Sequence, residues 1–286
     1  MNSMHNRKQY EVLKWASLFL EEHQREARVA QLLLQHHLGK GSAQFYADMQ
    51  ETVPEALIER YAKDIEEHAH TGVPIQHLIG KESFYGRDFN VNPNVLIPRM
   101  ETEELVQHVL HSVSADAPLN IVDVGTGSGI IAITLALELP NATVYATDLS
   151  HEALAVAQHN ATQLGAEVTF SQGNFLQPLQ DANVVVDVLV SNPPYIARSE
   201  ATTLSDTVKN FDPELALYAE EEGLAAYREI VKQAKSVLKP EGMMAVEIGH
   251  SQADAVTALI KQEFPSYQVR TIKDINGKDR IISTAL

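Results

Sequence analysis

The sequence predicts an α/β protein whose main domain is a doubly wound, mostly parallel sheet of seven strands. From residue 120 onward, seven short apolar runs alternate with helical patterns, which is typical of a sheet covered by helices on both faces. The first run leads into a glycine-rich loop, as in open α/β sheets that bind a ligand. We expect a helical bundle over residues 1–72, a β-hairpin linker over 73–98 and the α/β domain over 99–286.

The composition excludes several classes of protein. The 286 residues include no cysteine, so disulfides, thiolate metal sites and cysteine nucleophiles are excluded. The polar N-terminus lacks the apolar segment of a signal peptide, and no apolar run reaches the roughly 18 residues of a membrane span. We therefore expect a soluble, cytoplasmic protein that does not bind membranes. We also expect a monomer, although the composition does not bear on the oligomeric state.

The negative charge is concentrated in the second part of the chain. The net charge is −16 overall, −2 over residues 1–99 and −14 over residues 100–286. Non-specific affinity for nucleic acid comes mainly from Lys and Arg, so this balance argues against direct nucleic-acid binding. It does not disfavour a cationic ligand.

Residues 10–70 have helical periodicity and predict four or five helices. Trp15, Leu18 and Phe19 are spaced as one helical face, and Val29 begins a second. This bundle is either a stabilising appendage or a docking surface for a macromolecular substrate, and nothing in the segment distinguishes the two. Short β-type runs separated by Gly, Pro and Asn then predict the hairpin; they lie at 73–75, 83–86, 89–91 and 95–98.

The alternating pattern of the main domain defines its elements. Strands are predicted at 120–124, 143–147, 167–170, 184–191, 243–248, 267–272 and 280–284. Helices are predicted at 130–139, 152–164, 224–238 and 253–264.

A glycine-rich loop, G-T-G-S-G, follows the first strand and precedes an apolar helix. Glycines let the backbone turn sharply and approach a ligand closely, and the helix behind them offers free N–H groups. A dinucleotide fingerprint would need a glycine at position 130, which is Ile130, whereas the observed spacing matches the nucleoside-binding loop of methyltransferases. The candidate cofactor-binding residues here are Gly125, Thr126, Gly127, Ser128 and Gly129.

Asp148 closes the second predicted strand, 25 residues after Asp123. A carboxylate at this place can accept hydrogen bonds from both ribose hydroxyls of a nucleoside. It would do so for a dinucleotide and for the cofactor of a methyltransferase. Asp148 therefore indicates a nucleoside without distinguishing between these two cofactors. A purely structural glycine turn is the competing interpretation.

The segment N-P-P-Y, at 192–195, follows the fourth apolar run and is expected at the same sheet edge as the glycine loop. An amide nitrogen is a poor nucleophile, so an enzyme that methylates it must hold the nitrogen and draw its hydrogens aside. The side-chain oxygen of Asn192 and the carbonyl of Pro193 can accept these hydrogens, while Tyr195 offers a flat face. We therefore propose Asn192, Pro193 and Tyr195 as catalytic, Asn192 also as a cofactor contact, and Asn192, Pro193, Pro194 and Tyr195 as substrate-binding.

Other interpretations of this segment stay open. A Pro-Pro turn after a buried strand can be structural, and N-P-P-Y also fits DNA adenine and RNA guanine N-methyltransferases. A nucleotide-dependent oxidoreductase or an inactive binding module is a third hypothesis, against which Ile130 and the N-P-P-Y loop both argue. Arg99, Glu101 and Glu103 either line the entrance of the site or form a solvated loop with local ion pairs.

Several separated stretches carry a resemblance to a known family; they are 74–80, 95–103, 123–129, 191–195, 212–224 and 247–249. In this order they resemble the release factor glutamine methyltransferases, which are protein-(glutamine-N5) methyltransferases. The helical N-terminal region agrees with that resemblance.

The resemblance implies a Rossmann-like methyltransferase sheet and S-adenosylmethionine as the methyl donor, with S-adenosylhomocysteine as the product. It implies methylation of the glutamine side-chain amide in the Gly-Gly-Gln motif of peptide chain release factors. It also implies that Phe175, an aromatic residue after the third strand, packs on the adenine. The alternative is an N-methyltransferase acting on an exocyclic amine of a nucleic-acid base. The histidines show no ligand spacing, so we expect no metal.

Overall fold

The computed structural model describes residues 7–285 and separates into two compact units. The first comprises residues 7–80 together with 206–211, and the second comprises residues 81–205 and 212–285. Each unit has its own hydrophobic core.

The first unit is a helical bundle. Its core includes Leu20 on the first helix, Leu33 on the second and Tyr61 on the fourth, all with no exposed surface. The hydroxyl of Tyr61 donates a hydrogen bond to the carbonyl of Ala30 at 2.8 Å, which satisfies the polar end of this ring. The helices of this unit are α1 (Gln9–Glu22), α2 (Arg28–Leu38), α3 (Ser42–Ala47), α4 (Glu55–Thr71), α5 (Ile75–Ile79) and α10 (Asp206–Phe211).

Two expectations for this region are corrected by the structure. The spacing predicts that Leu18 shares a buried face with Trp15 and Phe19, but Leu18 is 50% exposed. Trp15 and Phe19 are only partly buried, because other residues of α1 form its core face: Val12, Ala16 and Leu20. The β-type run predicted at 73–75 is not a strand, because Pro74 caps the short helix α5.

The second unit is built on a seven-stranded sheet with the order β10-β11-β9-β6-β3-β4-β5. The pairs among β9, β6, β3, β4 and β5 are parallel, and β11 is antiparallel to both of its neighbours. The predicted α/β, mostly parallel sheet is confirmed. The strands of this unit are β1 (Lys81–Phe84), β2 (Arg87–Asn90), β3 (Asn120–Val124), β4 (Thr143–Asp148), β5 (Val168–Gln172), β6 (Val186–Ser191), β7 (Ile196–Ala197), β8 (Tyr218–Ala219), β9 (Leu238–Glu247), β10 (Gln268–Lys273) and β11 (Asp279–Ala285).

Helices cover both faces of this sheet. Ile121 of β3 points into a core shared with α6 and α7, whereas its neighbour Val122 points into a core shared with α13 and α14. Among the described residues, no helix is both long and apolar enough to cross a membrane. The helices are α6 (Met100–Ser112), α7 (Ile130–Glu138), α8 (His151–Leu164), α9 (Gln177–Asp181), α11 (Glu214–Leu217), α12 (Glu220–Gly223), α13 (Ala225–Val237) and α14 (Ala253–Glu263), with a 3₁₀ helix at Arg198–Thr203.

All seven predicted strands and four predicted helices of the α/β domain are present, with most ends within two residues of the prediction. The main exception is β9, which begins at Leu238 and not at residue 243. Leu238 pairs with Val186 before an irregularity in the register, while Pro240 and Gly242 give this stretch the sequence pattern of a turn. The helices α6, α9, α11 and α12 and the short strands β7 and β8 have no counterpart in the sequence prediction, and the β-type run predicted at 95–98 forms no strand.

The hairpin of β1 and β2 is anchored to the main sheet. Phe84 and Phe89 are buried in the core on the α6 and α7 side. The N–H of Asn90 donates to Oδ1 of the buried Asn160 at 2.8 Å, and Nδ2 of Asn160 donates to the carbonyl of Ser128 at 2.9 Å. One buried amide on α8 therefore joins the hairpin to the glycine-rich loop.

The connection from β6 to α13 contains a turn that requires glycine. Glu221, Glu222 and Gly223 in α12 have φ values of 54°, 53° and 83°, so this segment is a left-handed turn. A Cβ at Gly223 would lie 2.1 Å from the carbonyl oxygen of Tyr195. Only glycine lets the turn approach the backbone of the N-P-P-Y segment this closely.

Candidate active site

Three loops meet at the carboxyl edge of the seven-stranded sheet. Because β3 lies between β6 and β4 and is parallel to both, the loops that follow these strands start side by side. They border a cavity of about 270 Å³. Its walls include the glycine loop after β3, Asp148 at the end of β4 and Asn192 after β6.

The glycine loop bends tightly from β3 into α7. Gly125, Gly127 and Gly129 have φ values of 73°, 56° and 85°, a region that residues with a side chain rarely adopt. The N–H of Gly125 donates to the carbonyl of Thr147 on β4 at 2.9 Å. At Gly129 a Cβ would also lie 2.8 Å from Cδ1 of Ile133, so the third glycine is needed for space as well as for conformation.

Asp123 supports the glycine loop from inside the sheet. Its buried Oδ2 accepts the hydroxyl of Thr126 at 2.6 Å and the N–H of Ala132 at 3.2 Å. Its Oδ1 has no hydrogen-bond partner in the part of the chain that the structure describes. Burial raises the pKa of Asp123 to about 7, although both hydrogen bonds lower it; the nearby Asp148 raises it further.

Asp148 connects the glycine loop to the start of α8. Its Oδ2 accepts the N–H of Gly127 at 2.8 Å, and its Oδ1 accepts the N–H of Ser150 at 2.9 Å. Burial raises the pKa of Asp148, while these two N–H groups lower it. Each carboxylate oxygen can accept a second hydrogen bond, so Asp148 keeps acceptor capacity for hydroxyl groups of a ligand.

The N-P-P-Y loop presents its asparagine to the cavity. Nδ2 of Asn192 donates to Oγ1 of Thr102 at 3.1 Å. The carbonyl of Tyr195 accepts a hydrogen bond from Nε2 of Gln252 at 2.9 Å, and its ring packs against the core on the α13 side. Burial raises the pKa of Tyr195 to about 12, which keeps its hydroxyl protonated.

Most residues proposed from the sequence line this one cavity: Gly125, Thr126, Gly127, Ser128, Asp148, Phe175, Asn192 and Pro194. Gly129, Pro193 and Tyr195 are not among the lining residues. Gly129 shapes the loop through its positive φ of 85°, and Pro193 is buried. The flat-face role of Tyr195 stays a prediction.

Phe175 and Asn174 line the cavity after β5. Phe175 has a φ of 51°, a conformation that costs on the order of 1–3 kcal/mol in a residue other than glycine. The next residue holds this turn in place, because the N–H of Leu176 donates to Oε1 of Gln233 on α13 at 2.8 Å. An aromatic ring is thus held at the cavity wall by a strained turn.

Several lining residues have no counterpart in the motifs found in the sequence. The segment after the hairpin contributes Pro93, Asn94, Val95, Leu96 and Pro98, and the region of α11 contributes Pro213, Leu215 and Ala216. Those within 95–103 and 212–224 belong to the stretches carrying the family resemblance, whereas Pro93 and Asn94 lie outside them.

The structure gives separate roles to two of the three charged residues at the start of α6 whose interpretation the sequence leaves open. Arg99 lines the cavity and pairs with the buried Asp212 at 2.9 Å. Glu103 instead accepts the N–H of Tyr85 at 2.8 Å and so fixes the hairpin turn. Thr102, to which no sequence motif gives a role, also lines the cavity and is only 1% exposed.

The cavity is lined by the backbone of the glycine loop, one carboxylate, the guanidinium of Arg99, apolar walls and the side-chain amides of Asn94, Asn174 and Asn192. Over residues 7–285, no group of three or more His, Asp or Glu side chains is arranged to hold a metal ion. A carboxylate beside a glycine loop suits a nucleoside, and an amide oxygen suits a group that carries N–H hydrogens.

Comparison with known proteins finds a matching family for each of the two regions of the chain. Residues 11–80 match the PrmC N-terminal domain, and residues 115–283 match the family described as "Methyltransferase domain". A release factor glutamine methyltransferase of Bacillus subtilis (strain 168) is 46% identical over 96% of this chain and 96% of that protein. One of Enterococcus faecalis (strain ATCC 700802 / V583) is 41% identical over 95% of this chain and 97% of that protein.

Solved structures share the fold. The 16S rRNA N2 G1207 methyltransferase of T. thermophilus, in complex with AdoMet and guanosine, superposes with a TM-score of 0.53. The match covers 72% of this chain and 49% of that chain at 13% identity, so it concerns the fold alone.

Replacing the buried Asp123 by asparagine should change how stability depends on pH. Because its pKa is raised from 3.8 to about 7, the folded state holds more protons than the unfolded state between these values. The free energy of unfolding of the native chain should therefore fall as the pH rises through this interval. In Asp123→Asn, which does not titrate, we expect a shallower fall.

Urea unfolding at about pH 5 and about pH 8 measures this difference. The exposed Asp88→Asn variant is the control and should keep the native slope. Equal slopes for Asp123→Asn and the native chain would contradict the prediction.

Proposed function

The chain belongs to the family of release factor glutamine methyltransferases, and we propose that it methylates the glutamine of the Gly-Gly-Gln motif in peptide chain release factors. The methyl group leaves the sulfonium of S-adenosylmethionine and bonds to the side-chain amide nitrogen, which loses one proton; S-adenosylhomocysteine and that proton are the other products. One observation supports this above all others: the glycine loop and Asn192 line the same cavity.

The cavity fits S-adenosylmethionine in its chemistry. Asp148 keeps acceptor capacity for two ribose hydroxyls, and Phe175 offers a ring for the adenine. Residues of the glycine loop, Gly125 to Gly129, would lie along the nucleoside and the amino-acid part. The bound cofactor supplies a methyl group that is already activated on a positively charged sulfur.

The residues of the chain position the substrate nitrogen that receives the methyl group. An amide lone pair is delocalised into its carbonyl, so positioning must supply most of the acceleration, up to about 7–11 kcal/mol in favourable cases. We assign Asn192 Oδ1 and the carbonyl of Pro193 as acceptors for the two amide hydrogens. Tyr195 belongs to the same loop, whose backbone is held by Gln252 and by the close approach of Gly223.

The partner of this site is a protein in our proposal. The net charge of −14 over residues 100–286 disfavours direct nucleic-acid binding. We assign the docking of the release factor to the N-terminal helical bundle, and we propose that the enzyme works as a cytoplasmic monomer.

Labelled S-adenosylmethionine tests the substrate directly. The chain is incubated with a release factor, with the same factor carrying Ala for the Gln of Gly-Gly-Gln, or with bulk nucleic acid. We expect label on the unmodified factor alone. Label on nucleic acid alone would instead support the nucleic-acid N-methyltransferase alternative.

Asn192→Ala should separate methyl transfer from cofactor binding. Loss of the acceptor oxygen should lower the rate of methyl transfer by roughly 10²–10³-fold, as for one donor of an oxyanion hole. Affinity for S-adenosylmethionine should fall only modestly. The exposed Asn141→Ala variant is the control. Full turnover by Asn192→Ala would remove this residue from the mechanism.

Asp148→Ala, in contrast to Asn192→Ala, should affect mainly the binding of the cofactor. Losing charge-assisted hydrogen bonds to ribose should weaken S-adenosylmethionine binding by roughly 10- to 100-fold, measured by calorimetry. Asp148→Asn, which keeps one acceptor oxygen, should fall between that variant and the native chain. The exposed Asp181→Ala should bind normally. Unchanged affinity in Asp148→Ala would show that the ribose is bound elsewhere.

A further inference from the structure

A chain of hydrogen bonds leads from Asn192 into the protein interior. Nδ2 of Asn192 donates to Oγ1 of Thr102 at 3.1 Å, and the hydroxyl of Thr102 donates to Oε2 of Glu247 at 2.8 Å. Thr102 is in the first turn of α6 and Glu247 ends β9, with 1% and 2% of their surface exposed. The amide at the cavity wall is thus bonded, through one hydroxyl, to a carboxylate shielded from water.

The chemistry of these groups gives this series of hydrogen bonds a direction. An ionised carboxylate only accepts hydrogen bonds, so the hydroxyl hydrogen of Thr102 is directed at Glu247. The hydroxyl oxygen is then an acceptor toward Asn192 and binds the NH2 end of that amide. Oδ1 of Asn192 has no hydrogen-bond partner within residues 7–285 and is left for a ligand of the cavity.

We infer that Thr102 and Glu247 are positioning residues, which orient the amide of Asn192 so that its oxygen meets the –NH2 group of the substrate. This inference rests on the proposed function. An oxygen is needed at this place only if the substrate nitrogen that receives the methyl group carries hydrogens. If the side-chain amide of Asn192 were flipped, its NH2 group would face the N–H hydrogens of the substrate, and no hydrogen bond could form. Both positioning residues therefore act through Asn192.

Glu247 has no other assigned role that would account for its burial. Burial raises the pKa of Glu247 to about 7; the hydrogen bond from Thr102, then Arg280 and Arg99, lower it, and Glu101 raises it. A buried carboxylate costs stability that an apolar residue of similar size would not. Its position behind Thr102 agrees with a role in orientation, and above its pKa it is an acceptor only.

Thr102→Val tests the inference because it keeps the shape of the side chain and removes the hydroxyl. At about pH 8, where Glu247 is ionised, methyl transfer to the release factor should fall roughly 10- to 100-fold, as for a misplaced catalytic group. Calorimetry should give an unchanged Kd for S-adenosylmethionine. Thr102→Ser, which keeps a hydroxyl, should recover most of the rate.

Thr134→Val is the matched control. Thr134 is equally buried, lies in α7 away from the cavity, and its hydroxyl has no hydrogen-bond partner among the described residues. We expect this variant to methylate at the native rate. If Thr102→Val does not fold, Thr102→Cys serves in its place, since a thiol is a weaker donor and should give an intermediate rate.

Two further measurements separate orientation from direct contact with the substrate. In the Asn192→Ala background, Thr102→Val should cause no further loss of rate, because Thr102 then has nothing to orient. In the protein without cofactor, the side-chain amide resonances of Asn192 in a ¹H–¹⁵N spectrum should shift in Thr102→Val and return in Thr102→Ser.

The possible outcomes are distinct. A folded Thr102→Val variant with the native rate overturns the inference, and so does a further loss in the Asn192→Ala background, which would indicate direct contact with the substrate. If the native chain does not label the release factor, the proposed function fails instead. The amide resonances, which need no substrate, still report whether Thr102 orients Asn192.

Discussion

The parallel pairing of β3 with β6 on one side and β4 on the other is the constraint on which the rest of the site depends. In this register Val124 is level with Ser191 and with Thr147, so the three strands end together. Side-chain and main-chain bonds hold these ends: the hydroxyl of Ser191 donates to the carbonyl of Val124 at 2.6 Å, and Gly125 donates to Thr147. The loop after β3 therefore begins about one strand spacing, roughly 4.8 Å, from the loop on either side of it.

Three carboxylates fix residues of the cavity wall through hydrogen bonds. Asp123 binds the hydroxyl of Thr126, and Glu247 binds the hydroxyl of Thr102. Asp148 is closer to the surface and binds the N–H of a glycine in the loop. Each carboxylate is costly to bury, and each holds a residue that lines the cavity. Groups arranged in this way before the ligand arrives do not have to reorganise during the reaction.

The sequence was informative where local pattern and tertiary structure agree. The apolar runs, the glycine loop and N-P-P-Y predicted the sheet and the edge that carries the cavity, because each signal is contained in a few consecutive residues. The start of β9 escaped prediction, since Pro240 resembles a turn residue while Leu238 already pairs with Val186. The bond of Thr102 to Glu247 joins residues 145 apart, and no local pattern reports it.

The most direct test of the shared cavity is a crystal structure of the chain with S-adenosylhomocysteine and a Gly-Gly-Gln peptide. The account predicts the sulfur beside residues 125–129, and the glutamine amide nitrogen roughly 2.7–3.2 Å from Oδ1 of Asn192. A peptide bound at another edge of the sheet, or one that meets Nδ2 of Asn192, would contradict it.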